Sequence, residues 1–255
     1  MPTKPLKKFT AWSYSRLSDY EKCPLMARLK HLDKIKEPDN KYQARGTQLH
    51  TDCGLVVLGK TTIDKLCAKE PHPIANFTEE FAELHKVRKT VMLEKDLAVD
   101  SKWGATNWFD SDAAKKGLGV PWCRVRVDMI RPVTQKRVKV RVFKSVDFKS
   151  GKIRDEHKDQ LELYALATFA QPEFDAGVVE SELWYLDQGE IVDERYERKD
   201  APKLQKKWEQ RVIPMMTDTG FAPKRNDACK FCHYRKNNAK EGGGQCPLPA
   251  GSERR

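Results

Sequence analysis

The chain has 255 residues, 39% of them hydrophobic, enough for a sizeable core; its net charge of +11 and pI near 9.2 suit a polyanionic partner without saying which one. No apolar run approaches the roughly 18 residues of a membrane span, and Met1 to Lys8 lacks the apolar segment of a secretory signal, so an intracellular, cytoplasmic protein with no membrane partner is expected. Seven cysteines, an odd number, argue for free thiols or metal ligation over a disulfide framework.

In chain order, Ser13 to Tyr20 reads as a capped helix start, interrupted at Cys23-Pro24 and resuming from Leu25 to Leu32 with proline in its first turn. Lys34 to Asn40 is a polar connection. A helix from about Ala44 to Leu58 carries His50. Another, from about Asn76 to Lys89, has acids in its first turn and bases in its last, as the macrodipole favours. Val91 to Val99 reads as a strand and Ser101 to Pro121 as a loop. Two acidic strands follow, Cys123–Ile130 and a run ending at Lys149, joined by a turn at Arg131–Lys136. A helix from about Glu156 to Ala170, strands near Val178–Tyr185 and Glu190–Tyr196, and a helix from about Pro202 to Thr217 complete the core. The tail from Phe221 is polar, with three cysteines.

The chemistry concentrates in the two acidic strands. Asp147 and Lys149 are two residues apart and so emerge on the same side of a strand, and Asp128 lies on the strand before it. Arg137, Lys139, Arg141, Phe143, Ser145, Asp147 and Lys149 share one parity while Val138, Val140, Val142, Val146 and Phe148 share the other, so the acids are expected on a polar, basic face. Two carboxylates and a lysine suit a divalent-metal phosphodiesterase: acids to hold magnesium or manganese, and a cation to orient water and offset phosphate charge. The competing reading is the solvated face of an amphipathic hairpin. On the following helix, Gln160 and Tyr164 are four residues apart and share a face that can point toward the strand ends.

Taken in order, Gly46-Thr47-Gln48-Leu49-His50, Asp128, Asp147-Phe148-Lys149-Ser150-Gly151 and Gln160-Leu161-Glu162-Leu163-Tyr164-Ala165 resemble the RecB-like branch of the PD-(D/E)xK nuclease superfamily. Ser13 to Leu17 and Cys23-Pro24 resemble its amino-terminal helix, so the likeness covers about residues 12 to 247. The superfamily's name-giving proline is absent, since Asp128 follows Val127. The resemblance implies His50, Asp128 and Asp147 as metal ligands, joined by the Phe148 carbonyl. It implies Lys149 as the group that orients water or stabilises the phosphate, and Gln160 and Tyr164 as accessory catalytic residues. Glu94 is a further candidate ligand or supporting group from the preceding strand; an acid on an edge strand otherwise faces solvent.

Cys229-Lys230-Phe231-Cys232 and Cys246 in the tail, with Cys23 far upstream, resemble the iron–sulfur staple of AddB-type and CRISPR-associated RecB-like nucleases. Four cysteines suit a 4Fe–4S cluster, the favoured occupant, and also structural zinc, and His233 keeps a Cys3His zinc site open. Cys53, Cys67 and Cys123 read as ordinary buried thiols.

The expected fold is therefore α/β, a restriction-endonuclease-like PD-(D/E)xK core with a central mixed sheet flanked by helices over residues 1–220. A Cys-rich tail, 221–255, would pack on the amino-terminal helix. The expected function is a metal-dependent deoxyribonuclease, an exonuclease ahead of an endonuclease, acting on DNA ends or single strands in recombination, repair or end processing. No Walker motif is present, so ATP use would need a helicase or recombination partner. The alternatives are a catalytically inactive or accessory DNA-binding protein and a zinc-ribbon interaction protein.

Overall fold

The computed structural model describes residues 8–134 and 140–248. It divides into two compact units, Met1–Asp39 with Lys206–Arg255, and Asn40–Gln205.

The larger unit is built on one six-stranded mixed sheet. Its strands are β1 (Met92–Val99), β2 (Ala105–Thr106), β3 (Cys123–Val133), β4 (Arg141–Lys149), β5 (Ala176–Tyr185) and β6 (Glu190–Glu197), in the order β2-β1-β3-β4-β5-β6. Among the described residues only β4 and β5 pair in parallel. Their crossover is the helix Lys158–Ala170, as a parallel connection requires. The helices, in chain order, are α1 (Tyr14–Lys22), α2 (Pro24–Ala27), α3 (Lys41–Val57), α4 (Ile63–Cys67), α5 (Thr78–Lys86), α6 (Asp110–Lys115), α7 (Lys158–Ala170) and α8 (Ala201–Thr217). α3 starts where the Asn40 side chain accepts the Tyr42 N–H at 2.9 Å.

Helices cover both faces of β4. On one side Leu49, Cys53, Val56 and Val57 of α3 and Phe81 and Leu84 of α5 close over Met129, Val146, Phe148 and Trp184. On the other, α7 lies along β5, and Ser181, hydrogen-bonded to Ser145 at 2.8 Å, also reaches the Leu161 carbonyl. This overturns the competing reading of a solvated hairpin face, and the polar face expected for the acids lies inside: Phe143, Ser145 and Asp147 are all buried, because the parallel crossover puts a helix over that face. Arg137 and Lys139, which carried the basic pattern, lie outside the described residues. β3 also runs on to Val133, through part of the expected turn. The expected loop 101–121 holds the two-residue strand β2 and the six-residue α6, both too short to leave a periodic signal. Cys53 and Cys123 are buried as expected, whereas Cys67 is only half-buried.

In the smaller unit, Ser13 caps α1, Cys23 adopts extended backbone and Pro24 opens α2, so the break falls where proline placed it. A π-helical turn, Arg28–Leu32, follows. Trp12 stacks on Trp208 at 5.7 Å, Arg211 forks onto Glu21, and the Tyr20 hydroxyl donates to Asp218 at 2.9 Å. The segment around Cys229 lies against the end of α1: Lys224 N–H donates to Cys23 Sγ at 3.4 Å and Asn226 Nδ2 to the Lys22 carbonyl at 2.7 Å. Among the described residues no helix is long and apolar enough to cross a membrane.

Candidate active site

The site forms where the ladders open. The β3–β4 pairing runs from Val133↔Val142 to Met129↔Val146, and one step further would set Asp128 opposite Asp147, just beyond the last recorded pair. In the β1–β3 register, Leu93↔Met129 and Lys95↔Val127 bracket Glu94 and Asp128 in the same way. Three carboxylates thus stand in a row across three strands. Glu94 has a φ of +48°, the left-handed region that a glutamate adopts only when its surroundings impose it. That strain breaks the alternation of β1 at the residue that carries the acid.

α3 brings His50 to the row. Its Nδ1 lies 3.3 Å from Asp128 Oδ2, which also accepts the Phe148 N–H at 2.8 Å. One donor atom each from His50, Glu94 and Asp128 lie within 4.8 Å of one another. They line an open cleft of about 570 Å³ together with Thr47, Thr51, Leu93 and Phe148. Gly46 lets α3 come this close: a Cβ there would sit 3.3 Å from Ser150 Oγ, on the loop that follows Lys149. The same loop is held by Asp187, which accepts the Gly151 N–H at 2.8 Å and pairs with Arg45 of α3.

Asp147 is organised from α7. Its Oδ1 accepts from the Tyr164 hydroxyl and from Gln160 Nε2, the latter at 3.1 Å, while its Oδ2 faces Lys149 Nζ at 2.6 Å. Gln160 Oε1 accepts a Lys149 N–H at 2.8 Å. An ammonium has three donors, so an N–H remains for a water or a phosphate oxygen. Tyr164, fully buried, is fixed as a donor to the acid; burial and then the charges of Asp147 and Asp128 push its pKa well above the phenol range.

The electrostatics describe a nest of like charges. Burial, then the neighbouring Asp147, raises the Asp128 pKa above the usual carboxylate range, against the opposing pull of His50. Burial and Asp128 do the same to Glu94. For His50, burial works against the charged form, but the hydrogen bond and charge of Asp128, with Asp147 and Glu94, outweigh it and raise the pKa. Carboxylates crowded this way favour a bound cation, and oxygen donors with one imidazole fit magnesium or manganese.

All the residues that the sequence pointed to in the core meet here. Glu94, held there as a candidate only, joins the three-donor cluster, and Asp147 stands beside it in the Lys149–Gln160–Tyr164 network. The sequence reading did not mark His157 or Tyr185, which lie next to Lys149. A tyrosine at the end of a buried strand reads as core, and only the parallel register Lys149↔Tyr185 reveals its place. In the smaller unit, burial first, then the charges of Cys23, Cys246 and Cys229, raise the Cys232 thiol pKa. His233 beside them is buried, with its Nε2 lacking a hydrogen-bond partner.

A model of the PD-(D/E)XK nuclease superfamily matches residues 11–236. No curated protein matches the chain. A solved structure described as "Crystal structure of SSO0001" shares 15% identity over 89% of this chain and 85% of that one, with a TM-score of 0.39, a likeness too loose to carry an argument.

Proposed function

Since the chain belongs to the PD-(D/E)XK nuclease superfamily, whose members are metal-dependent nucleases, we propose that it hydrolyses DNA phosphodiester bonds as an exonuclease acting on ends or single strands. The observation that carries the assignment of the site is the convergence of His50, Glu94, Asp128 and Asp147 with Lys149 at one ladder opening. His50, Glu94 and Asp128 would hold the cation, with Asp147 and the Phe148 carbonyl at its edge. The ion supplies charge neutralisation and polarisation of the scissile phosphate. Lys149, its ammonium aimed by the ion pair with Asp147 and the hydrogen bond to Gln160, presents a free N–H to the attacking water or to a non-bridging oxygen. Tyr164 and Gln160 fix the Asp147 carboxylate, so the lysine does not swing. The net charge of +11 supplies sequence-independent attraction to the backbone. Purified protein incubated with end-labelled and circular DNA, single- and double-stranded, tests the exonuclease reading. Labelled ends should be lost in magnesium or manganese while circles persist, and nicked circles would replace it with an endonuclease.

The cysteines form the second part of the proposal. Cys23, Cys229, Cys232 and Cys246 would bind a 4Fe–4S cluster that joins the two ends of the smaller unit. Backbone N–H groups donate at 3.4 Å to Cys23 Sγ (from Lys224) and to Cys229 Sγ (from Asn226), contacts that suit thiolate ligands. Zinc held by Cys229, Cys232, His233 and Cys246 is the competing occupant. Iron, sulfide and zinc analysis of wild type and Cys23→Ala decides: iron lost in the variant supports the cluster, and one zinc retained in it supports the local site.

A further inference from the structure

Around Lys149 the structure holds a hydrogen-bonded pair that the proposed chemistry does not use. Tyr185 ends β5 in register with Lys149 of the neighbouring parallel strand, about 4.8 Å away across the sheet. Its hydroxyl lies 2.9 Å from His157 Nδ1, and the two rings stack at 5.9 Å with an interplanar angle of 22°. His157 stands three residues before Gln160 and seven before Tyr164, so it continues their helix face outward by one turn. From Tyr164, which is buried, through Gln160 to His157, both half-buried, this row runs from Asp147 past Lys149 toward solvent.

The bonding fixes what the imidazole offers. The Tyr185 oxygen accepts the Arg154 N–H at 3.5 Å. Its own proton then needs an acceptor, and His157 Nδ1 is the one at hand. A neutral imidazole that accepts at Nδ1 carries its proton on Nε2. Burial, then the nearby Lys149 ammonium, keep the ring below its ordinary pKa and so neutral at pH 7. Beside a lysine committed to the scissile phosphate, the row ends in a neutral, oriented N–H donor.

We infer that His157 Nε2–H is a positioning donor for the phosphodiester adjacent to the scissile one, on the Lys149 side of the cleft, with Tyr185 fixing its tautomer. This rests on the reading of the site as one that binds a nucleic-acid backbone. A hydrogen bond to a charged phosphate oxygen contributes roughly tenfold in affinity.

The test is a binding cycle with the full chain in calcium, using single-stranded oligonucleotides that each carry one methylphosphonate at a stepped position, read by fluorescence anisotropy. At one linkage the methylphosphonate should weaken wild type about tenfold. His157→Ala should weaken binding of the unmodified strand by a similar factor and gain no further loss from that methylphosphonate. His157→Gln, which keeps an N–H donor, should recover most of the affinity, and Tyr185→Phe should fall between. If His157→Ala binds like wild type, or if the two losses multiply at every linkage, the inference is overturned. Coupling found without cleavage in magnesium or manganese would instead sink the nuclease reading and leave this contact standing, while cleavage without coupling would do the reverse.

Discussion

Replacing Asp128 with asparagine is expected to stabilise the metal-free protein while abolishing cleavage. Asp128 is buried between Glu94 on β1 and Asp147 on β4, one step beyond the recorded β3–β4 pairing. Opposed side chains in an antiparallel pair are about 5 Å apart, and two carboxylates at that distance, with an effective dielectric near 20, repel by about 3 kcal/mol. His50 and Lys149 offset part of this, which leaves on the order of 1–2 kcal/mol. Asparagine keeps the shape, and its oxygen can still accept the Phe148 N–H now held at 2.8 Å, so neither a void nor an orphaned backbone donor is created. In a chain of this size that gain corresponds to a Tm rise of about 2–8 °C. Thermal unfolding at low ionic strength, in chelator and in manganese, measures it. Wild type should gain stability from manganese; the variant should start higher in chelator and respond little. A variant less stable than wild type in chelator, or one that manganese stabilises equally, would refute the placement of Asp128 as a ligand held against its neighbours.

Asp147→Ala and Lys149→Ala should each lower the cleavage rate by at least about 10²-fold while lowering DNA affinity by no more than about tenfold, because binding draws on the whole basic surface; single-turnover rates and anisotropy separate the two. The smaller unit should lose stability in acid. Burial works to raise the Asp19 pKa, but its hydrogen bond to His31 and its contact with Lys30 outweigh it and leave it lowered. A depressed folded-state value means stabilisation that is complete above the unfolded aspartate pKa and lost as pH falls through the folded one. Asp19→Asn should therefore be less stable than wild type near neutrality and converge with it in acid, and parallel melting curves down to pH 3 would count against this.

Much of the fold was legible because its elements carry local signals. The helix bounds of α3, α7 and α8 fall within about three residues of those read from periodicity and caps, and Cys23-Pro24 marked the break after α1. What was misread depends on distant chain. Phe143, Ser145 and Asp147 alternate like a half-exposed strand, yet α7 buries them, and no strand pattern reveals the helix that covers it. The contacts of α1 with Arg211 and Asp218, nearly two hundred positions away, were equally hidden. At the site, the spacing of Asp147 and Lys149 on one strand, with Asp128 on the strand before it, drew attention to the three, and the family resemblance added Gln160 and Tyr164. Glu94 stayed a candidate because its left-handed backbone, at the residue that joins His50 and Asp128, leaves no trace in residue type.

The central claim is that the metal-ligand cluster and Lys149 form one hydrolytic centre. The most direct measurement is cleavage of an end-labelled oligonucleotide by wild type and by Lys149→Ala, each titrated with manganese, with calorimetry of manganese binding to the same two proteins. The account predicts that both bind one ion at the His50–Glu94–Asp128 cluster with comparable affinity and that only wild type cleaves. Cleavage by Lys149→Ala at the wild-type rate, or wild-type cleavage that persists in chelator, would contradict it.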